Sequence, residues 1–458
     1  MTDDLLQTLQ RAMPGLRVLT GADDLLHYGR DWTRRWTPAP LAIALPADVE
    51  DVVRVVRWAR QHRVALVPSG GRTGLSGGAV AANGELVLSL QRMNRVLDFD
   101  PYDRLLTVQA GIALEQVHVA ARAHDLQYPV DFAARGSCTI GGNIATNAGG
   151  IRVLRHGNTR EWIAGLTVVD GRGELMRLNR ALIKNSSGYD LRHLLIGSEG
   201  TLGVVVEAQL RLIDPDPPAR TLLLAVADFA AIMPVFAHLR RALRLQAFEF
   251  FDAMALRHVL AHGAPAPFPE PHAFHAICDV DAVSDEAVHA AFGHCMEQGW
   301  VVDGVIADAS TQAAQLWRLR EGITEALASR QPYKNDVVVR ISAMPAFLAD
   351  TQALLREAYP QFEVAWFGHI GDGNLHINVL KPDGMAQADF VRDCERVTRL
   401  LAGVLAKHGG SISAEHGIGL VKKPYLAGTR SPAEIEAMRG IKRVLDPDGI
   451  LNPGKLFD

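Results

Sequence analysis

Two histidines flank a tight turn in the stretch GHIGDGNLH, which spans residues 368–376. The Asp-Gly pair at 372–373 is a two-residue hairpin signal between the strand-like runs EVAWF and LHINVL. A two-residue loop at this position predicts that His369 is paired with His376. Their Cβ atoms would then lie about 4.5–5.5 Å apart on one face of the hairpin, and Asn378 joins that face. The arrangement is suited to binding a metal ion.

A third ligand is needed because imidazole nitrogens, which suit zinc and other late divalent metals, rarely form a site alone. The stretch SAEHGIG offers Glu415 and His416 beside small residues. Adjacent side chains diverge, so one of them can bind a metal while the other faces a different target. A pair of hydrogen-bonded structural histidines is the alternative interpretation.

Three glycine-rich segments in the first half of the chain could bind an anionic cofactor. They are PSGGRTGLSGG (68–78), GSCTIGGNIATNAGG (136–150) and GSEGTLGVV (197–205). Backbone N–H groups in such loops can turn toward a pyrophosphate and approach it closely. No GxGxxG follows a strand, so an NAD site of the Rossmann type is not supported. One such loop could be a tight turn without a ligand, but three in one domain predict a large cofactor.

A further group of residues could bind an acidic substrate. LWRLREGITEALASR (316–330) is predicted to be helical, and Arg320 and Thr324 share a face because they are four residues apart. Lys334 follows just past the predicted helix end. A guanidinium, a hydroxyl and an ammonium together could hold a carboxylate, with the arginine binding it bidentately. A solvated helix face with mutually paired charges is the alternative.

Composition limits the class of protein. At 458 residues the chain exceeds one ordinary core, so two or three domains are expected. The net charge of −4 without a polybasic block argues against a nucleic-acid partner. No apolar run reaches the ~18 residues that span a bilayer, and the N-terminus lacks an apolar signal segment. Four scattered cysteines fit a reducing compartment. We therefore expect a cytoplasmic enzyme without a membrane span.

The order of predicted elements indicates an α+β fold. The Pro-rich stretch DPDPPAR (214–220) is interpreted as a domain boundary. Beyond it a β-α-β-β-α-β order occurs twice, over 221–307 and 336–414, the second ending in a strand at 411–414. This repetition predicts two ferredoxin-like units side by side. The predicted domains are residues 1–218, residues 219–410 and a C-terminal segment of residues 411–458.

These motifs together resemble the vanillyl-alcohol-oxidase superfamily. The first two glycine loops and KNSSGYDLRHLLIGSEGTLG (184–203) are similar to its FAD-binding domain, which is of the p-cresol methylhydroxylase (PCMH) type. GHIGDGNLHINV, SAEHGIG and LNPGK resemble the C-terminal half of its FAD-linked D-2-hydroxyacid dehydrogenases. The resemblance covers nearly the whole chain. It implies a PCMH-type FAD-binding domain, a ferredoxin-like substrate domain and a small C-terminal segment that returns to the FAD domain.

The resemblance implies FAD, with its pyrophosphate on residues 69–75 and its flavin near 136–150. Some relatives tether FAD through a histidine in the first loop, but this loop reads SGGRTG and contains none. Non-covalent FAD is therefore expected. The residues implied to contact FAD are Pro68, Ser69, Gly70, Gly71, Arg72, Thr73, Gly74, Gly78, Pro129, Gly136, Ser137, Gly141, Gly142, Asn143, Thr146, Asn147, Gly149, Gly150, Glu199, Gly200, Gly203, Val204, Asn374 and Asn452.

The resemblance also assigns the metal and substrate residues. It implies that His369, His376 and Glu415 bind Zn²⁺ or a similar divalent metal. His416 is the implied catalytic base, which takes the substrate hydroxyl proton while the C2 hydride passes to flavin N5. The implied substrate-binding residues are Arg320, Thr324 and Lys334 at the distal carboxylate, together with Asn378 and His416.

The implied reaction is oxidation of a dicarboxylate, D-2-hydroxyglutarate, to 2-oxoglutarate. D-malate, D-lactate and glycolate are alternative substrates of the same chemistry. An electron-transfer flavoprotein or a quinone-linked acceptor is the implied partner, and a homodimer is the expected assembly. A non-enzymatic flavin- or metal-binding subunit is the competing class. Three glycine loops, a metal triad and His416 in one chain speak against it.

Overall fold

The computed structural model describes residues 2–282 and 284–457. Its chain packs into two compact units, each assembled from separate stretches of sequence. The predicted domain limits are continuous ranges and stay predictions. Unit 1 comprises Met1–Gly150, Gly157–Pro215 and Glu415–Asp458, and unit 2 comprises Ile151–His156 and Asp216–Ala414.

Helices and strands alternate through both units, which confirms the predicted α+β class. Among the described residues, none of the helices has the length and apolar character needed to cross a membrane. The helices are α1 (Thr2–Ala12), α2 (Ala22–Tyr28), α3 (Val49–His62), α4 (Leu114–Arg122), α5 (Ile140–Thr146), α6 (Val153–His156), α7 (Thr159–Trp162), α8 (Arg192–Leu195), α9 (Ile232–Ala242), α10 (Ala253–Ala261), α11 (Asp285–Glu297), α12 (Ser310–Glu321), α13 (Ile323–Ala326), α14 (Met344–Ala358), α15 (Gln387–Lys407) and α16 (Pro432–Leu445). The strands are β1 (Arg17–Leu19), β2 (Ala42–Leu45), β3 (Leu66–Ser69), β4 (Leu86–Ser89), β5 (Val96–Asp100), β6 (Leu105–Gln109), β7 (Ile163–Val169), β8 (Leu175–Leu178), β9 (Val204–Arg211), β10 (Ala219–Val226), β11 (Leu245–Asp252), β12 (Phe274–Asp281), β13 (Val301–Ile306), β14 (Tyr333–Val338), β15 (Val364–Gly368) and β16 (Asn374–Val379).

Unit 1 contains a sheet in the order β1-β2-β4-β3 and another in the order β5-β6-β9-β7-β8. In the first, β2, β4 and β3 are parallel, and in the second the neighbours are antiparallel. Buried aliphatic side chains such as Val56, Val108 and Leu210 form its main core. The Leu66 N–H donates to the Ile450 carbonyl at 2.7 Å, so the C-terminal stretch lies along β3.

Unit 2 is built on a sheet in the order β13-β10-β12-β11-β15-β16-β14. The first four strands have the ferredoxin-like order. The last three strands have the same order counted from the opposite edge of the sheet. The two groups meet where β11 pairs antiparallel with β15. The first predicted ferredoxin-like unit is therefore confirmed, and the second forms with three of its four predicted strands. The strand predicted at 411–414 is wrong. Ser411 forms an antiparallel bridge to Val338 while Ser413 forms a parallel bridge to Asp336, so the pairing direction changes and no ladder extends.

The short segment Ile151–His156 follows the second glycine loop but packs in unit 2. Three cationic or imidazole side chains bind the Asp216 carboxylate: Arg152 at 3.0 Å, Arg155 at 3.0 Å and His156 at 2.9 Å. This network covers an aspartate whose side chain is largely buried. It explains why a few residues between two stretches of unit 1 belong to unit 2.

Asp252 lies where β11 ends and caps α10, accepting the Ala255 N–H at 2.8 Å. Burial raises the pKa of its carboxyl to about 7. The folded protein therefore binds this proton more tightly than the unfolded chain does. The contribution of Asp252 to the free energy of unfolding therefore falls as the pH rises from about 4 to about 7.

We expect Asp252→Asn to raise the melting temperature at pH 8, because the amide oxygen still caps the helix and needs no proton. At about 1.4 kcal/mol per pKa unit, the gain has an upper limit of about 4 kcal/mol. Thermal unfolding at pH 8 and pH 4.5 measures it, and the advantage should shrink at the lower pH. A difference that is the same at both pH values would contradict the assignment.

Candidate active site

The first glycine loop follows β3 and packs directly on the second. A Cβ added at Gly70 would overlap the Thr139 hydroxyl, and one added at Gly71 would overlap the Ser137 carbonyl oxygen. Only glycine permits this approach of one backbone to another. The structure thus brings together two of the segments predicted to hold FAD.

Arg72, within the first loop, has a left-handed backbone with φ +57°. Its guanidinium donates to the Gly70 carbonyl at 3.0 Å, contacts His27 Nε2 at 2.9 Å and lies 4.5 Å from the centre of the Tyr28 ring. Burial lowers the pKa of this guanidinium. Among the described residues no carboxylate is paired with it, so the cation suits a phosphate group.

Three residues predicted to bind FAD meet in unit 1: Gly78, Glu199 and Asn452. The Asn452 amide nitrogen donates to the Gly78 carbonyl at 2.9 Å and to the Glu199 carbonyl at 2.7 Å. The Glu199 carboxylate accepts the N–H groups of Ile418 at 2.7 Å and Gly419 at 2.9 Å. Burial outweighs these donors and raises the pKa of Glu199 to about 7.

Several buried polar atoms of the residues predicted to contact FAD have no hydrogen-bond partner in the part of the chain that the structure describes. They are the Ser69 hydroxyl, the Asn143 amide nitrogen and the Asn452 amide oxygen. Buried polar groups are nearly always satisfied, so each of these atoms indicates a partner that the chain itself does not supply. A flavin and its pyrophosphate carry matching acceptors and donors. The residues therefore fit FAD.

Packing explains some of the other residues predicted to contact FAD. A Cβ at Gly150 would overlap the Asp131 carbonyl, and one at Gly203 would lie 2.6 Å from a Val168 methyl carbon. Asn147 ends α5 in the left-handed conformation. Their roles as cofactor contacts stay predictions. The remaining predicted FAD residues in unit 1 are Pro68, Thr73, Gly74, Pro129, Gly136, Ser137, Gly141, Gly142, Thr146, Gly149, Gly200 and Val204.

In unit 2 the two histidines of GHIGDGNLH lie close together, but the predicted hairpin register is wrong. Phe367, rather than His369, is opposite His376 in the pairing of β15 with β16. The connection runs from His369 to Gly373 and contains a 3-10 turn over Ile370–Asp372. The ring centres of the histidines are nevertheless 5.4 Å apart, with their planes at 80°.

The longer turn has two causes. Gly373 has a left-handed φ of +91° and packs against the Val339 carbonyl, where a Cβ would overlap the oxygen. His369 is bound by Glu249 of β11, its Nδ1 lying 2.7 Å from the carboxylate. A tight two-residue loop would have kept this histidine in the strand pairing with β16.

Strands β14 and β16 place polar side chains on one face of the sheet. Asp336 is opposite His376 and Lys334 is opposite Asn378, so all four side chains share that face. Asp336 is fully buried, and its Oδ1 lies 3.8 Å from His376 Nδ1. Its other oxygen accepts the N–H of Ala414 at 3.2 Å. Asp336 was not predicted from the sequence.

The Lys334 ammonium is half-buried on this face. Among the described residues it forms no ion pair and no hydrogen bond, and burial lowers its pKa. A partly desolvated cation without a counter-ion is a favourable position for an anionic ligand.

Glu249 was also missed by the sequence reasoning. This β11 carboxylate is 1% exposed and contacts His369 Nδ1 at 2.7 Å and Arg320 Nη2 at 2.8 Å. The Arg320 guanidinium also lies 5.1 Å from the centre of the Phe367 ring. Burial alone raises the pKa of Glu249, but His369 and Arg320 outweigh it and hold the pKa below its usual range.

The helix predicted over 316–330 is interrupted. α12 begins earlier, at Ser310, and ends at Glu321, and α13 starts after Gly322. Thr324 is exposed on α13, in contrast to the buried Arg320. The structure therefore connects Arg320, but not Thr324, with the polar groups on the sheet.

Three predicted residues remain to be placed. Asn374 lies in unit 2 and its amide nitrogen donates to Asp336 at 2.9 Å and to the Val337 carbonyl at 2.9 Å, so its predicted role at FAD stays a prediction. Glu415 and His416 belong to unit 1, where Glu415 Oε1 lies 3.6 Å from His416 Nε2.

Comparison with known families matches both halves of the chain. An FAD binding domain matches residues 40–179, and the C-terminal domain of FAD linked oxidases matches residues 216–456, more than half of the chain. The protein belongs to the FAD-linked oxidases.

Individual relatives cover the chain from end to end. It is 69% identical over 461 residues to a D-2-hydroxyglutarate dehydrogenase of Xanthomonas citri pv. viticola, covering 100% of this chain and 98% of the relative. It is 51% identical over 462 residues to a D-2-hydroxyglutarate dehydrogenase of Stutzerimonas stutzeri, with 100% of both covered. A crystal structure of p-cresol methylhydroxylase with substrate bound matches 100% of this chain and 97% of its own, with a TM-score of 0.77 at 16% identity. A structure of alkyldihydroxyacetonephosphate synthase matches 99% of this chain and 86% of its own, with a TM-score of 0.74 at 18% identity. The predicted PCMH-type fold is confirmed.

Proposed function

We propose that this FAD-linked enzyme oxidises D-2-hydroxyglutarate to 2-oxoglutarate with the help of a divalent metal, zinc or a similar ion. Relatives that carry the name of this activity over the full chain length support the substrate. The observation that carries the proposal is the half-buried Lys334 ammonium, which has no partner among the described residues and shares a sheet face with His376. A substrate with a second carboxylate would supply the missing counter-ion.

His369, His376 and Glu415 are the residues that would hold the metal. The closeness of the two imidazole rings supports this proposal. The hydrogen bond from His369 Nδ1 to Glu249 also supports it, because Nε2 is then the ligand atom that His369 would offer. Ala414, which immediately precedes Glu415, is bound to Asp336 on the same sheet face as His376. A metal bound there would lower the pKa of the substrate hydroxyl.

The other side chains would orient the substrate and take its proton. Lys334 and Arg320 would hold the distal carboxylate, and Asn378 would donate a hydrogen bond to the other end of the substrate. The predicted contact of Thr324 with the distal carboxylate stays a prediction, because Thr324 is exposed on α13. His416 would accept the hydroxyl proton. FAD, which the glycine loops would hold non-covalently, would supply the acceptor for the C2 hydride at N5. D-malate is the second candidate substrate, because it also has a distal carboxylate, whereas D-lactate and glycolate have none.

The partner and the assembly rest on the family resemblance. We propose an electron-transfer flavoprotein or a quinone-linked acceptor as the oxidant of the reduced enzyme, in a cytoplasmic homodimer. Steady-state turnover with each acceptor, and the mass of the protein in solution, test these proposals.

We expect Lys334→Ala to lower kcat/KM for D-2-hydroxyglutarate by at least about tenfold, because a charge-assisted hydrogen bond is worth about 1.5–3 kcal/mol. Any turnover of D-lactate should change far less, since that acid has no distal carboxylate. Lys334 is the sharper test than Arg320, whose removal would also leave Glu249 buried without its cation.

Lys381→Ala is the matched control, because this half-buried lysine already donates to the Met385 carbonyl at 3.2 Å. It should leave both substrates unaffected. An equal loss on D-lactate and D-2-hydroxyglutarate in the Lys334 variant would show that Lys334 supports the fold, and the assignment of a dicarboxylate would fail.

A further inference from the structure

We propose that Glu249 is a positioning residue that couples the histidine of the metal site to the arginine of the substrate site. The inference rests on the proposed function. Glu249 uses its two oxygens for two different side chains, Oε1 for His369 Nδ1 at 2.7 Å and Oε2 for Arg320 Nη2 at 2.8 Å. All three residues lie in unit 2.

Glu249 occupies a buried position that is unfavourable for a charged carboxylate. It lies in AFEFFD, between Phe248 and Phe250, in a strand buried along nearly its whole length. A buried charge is tolerated only when it is paired and hydrogen-bonded. A single cation would satisfy that requirement, yet here each oxygen binds a side chain proposed to act on a different part of the reaction.

For His369 the consequence is a fixed tautomer. The proton resides on Nδ1, which donates to Glu249, so Nε2 carries the lone pair that a metal ion needs. A carboxylate in this position also increases the basicity of the ring. Loss of such an outer partner typically weakens metal binding by about 10–100-fold.

For Arg320 the consequence is a fixed place for the guanidinium. Its Nη2 is bound to Glu249, and its flat group lies over Phe367, which precedes His369 by two residues. One carboxylate therefore sets the distance between the metal histidine and the cation for the distal carboxylate. That distance would determine which substrate chain length fits between the metal and the Arg320 guanidinium.

The test is the Glu249→Gln variant of the FAD-bound enzyme, whose Zn²⁺ affinity is first measured in the absence of substrate. Zn²⁺ affinity is determined by competition with a chromogenic chelator, and we expect the dissociation constant to rise by about 10–100-fold. In the same variant, kcat/KM should fall more for D-2-hydroxyglutarate than for D-lactate, since Arg320 loses its anchor as well.

Asp279→Asn is the matched control on the neighbouring strand β12. This carboxylate is also buried and binds the Thr221 hydroxyl at 2.6 Å and Trp317 Nε1 at 2.9 Å. The control should lower thermal stability without changing Zn²⁺ affinity. The Glu249→Gln variant could fail to fold because Arg320 would be buried without its counter-ion. In that case the double variant Glu249→Gln/Arg320→Met removes both charges. It should show the same loss of Zn²⁺ affinity.

Two outcomes overturn the inference in different ways. A wild-type enzyme that binds Zn²⁺ and a Glu249→Gln variant that binds it equally well would make Glu249 structural, and the proposed function would stand. A wild-type enzyme with full activity and no Zn²⁺ binding would remove the metal site, and the proposed function would fail together with the inference.

Discussion

Replacing His376 with alanine is expected to abolish turnover of D-2-hydroxyglutarate while FAD stays bound. A metal that acidifies the substrate hydroxyl supplies several kcal/mol, so the rate should fall by at least about 10³-fold. His376 lies in β16 of unit 2, whereas the glycine loops that fit FAD lie in unit 1. His369→Ala should behave in the same way, because His369 also lies in unit 2. Glu415→Ala should do so too, because Glu415, although it belongs to unit 1, lies outside the three glycine-rich segments.

Three measurements on one sample check this expectation: turnover, flavin absorbance and metal content by elemental analysis. His238→Ala is the matched control, because it removes a half-buried imidazole of the same unit, on α9, that stacks on His294 at 4.2 Å. The control should retain metal, flavin and activity. Wild-type activity that survives exhaustive chelation would contradict a catalytic metal.

Replacing His416 with alanine is expected to lower kcat by roughly 10²–10⁴-fold, the usual contribution of a general base, while the metal stays bound. The backbone after His416 is firmly held, since Ile418 and Gly419 both donate to the buried Glu199 carboxylate. Gly417 has a left-handed φ of +79° that favours glycine. The substitution should therefore remove the imidazole without moving the loop.

His124→Ala provides the control for this variant, since its ring lies on the surface of unit 1, stacked on Phe99 at 3.7 Å. It should leave kcat unchanged. If metal is lost together with activity in His416→Ala, then His416 is a ligand, and the proposed division between ligands and base is incorrect.

Local patterns predicted much of the fold. The β-α-β-β-α-β order predicted the ferredoxin-like arrangement of β13, β10, β12 and β11 and three of the four strands of the second unit. Alternation and glycine content are carried by neighbouring residues, so the sequence displays them directly. The junction of β11 with β15 joins residues more than a hundred positions apart, and no local pattern encodes it.

The hairpin of the two histidines shows where local reasoning failed. Asp-Gly favours a two-residue loop. His369 is instead bound by Glu249 on another strand, and this contact requires a longer turn. The predicted sharing of one face by His376 and Asn378 was nevertheless right, and the rings of His369 and His376 lie 5.4 Å apart although His369 is outside the strand.

Glu249 could have been found in the sequence. A carboxylate between two aromatic residues, as Glu249 is between Phe248 and Phe250, must lie in or near a core, and a buried charge demands a partner. The sequence shows that a partner must exist. It does not show that the partners are Arg320 and His369, because both lie far along the chain and meet Glu249 only in the folded sheet.

Anaerobic addition of D-2-hydroxyglutarate to the purified protein tests the central claim most directly, with the visible flavin spectrum as the readout. We predict that the untreated enzyme shows flavin absorption that is bleached by the D acid. After exhaustive chelation the flavin should remain but no longer be bleached, and added Zn²⁺ should restore the reaction. A flavin that D-2-hydroxyglutarate leaves oxidised in the metal-loaded enzyme would contradict the proposed function.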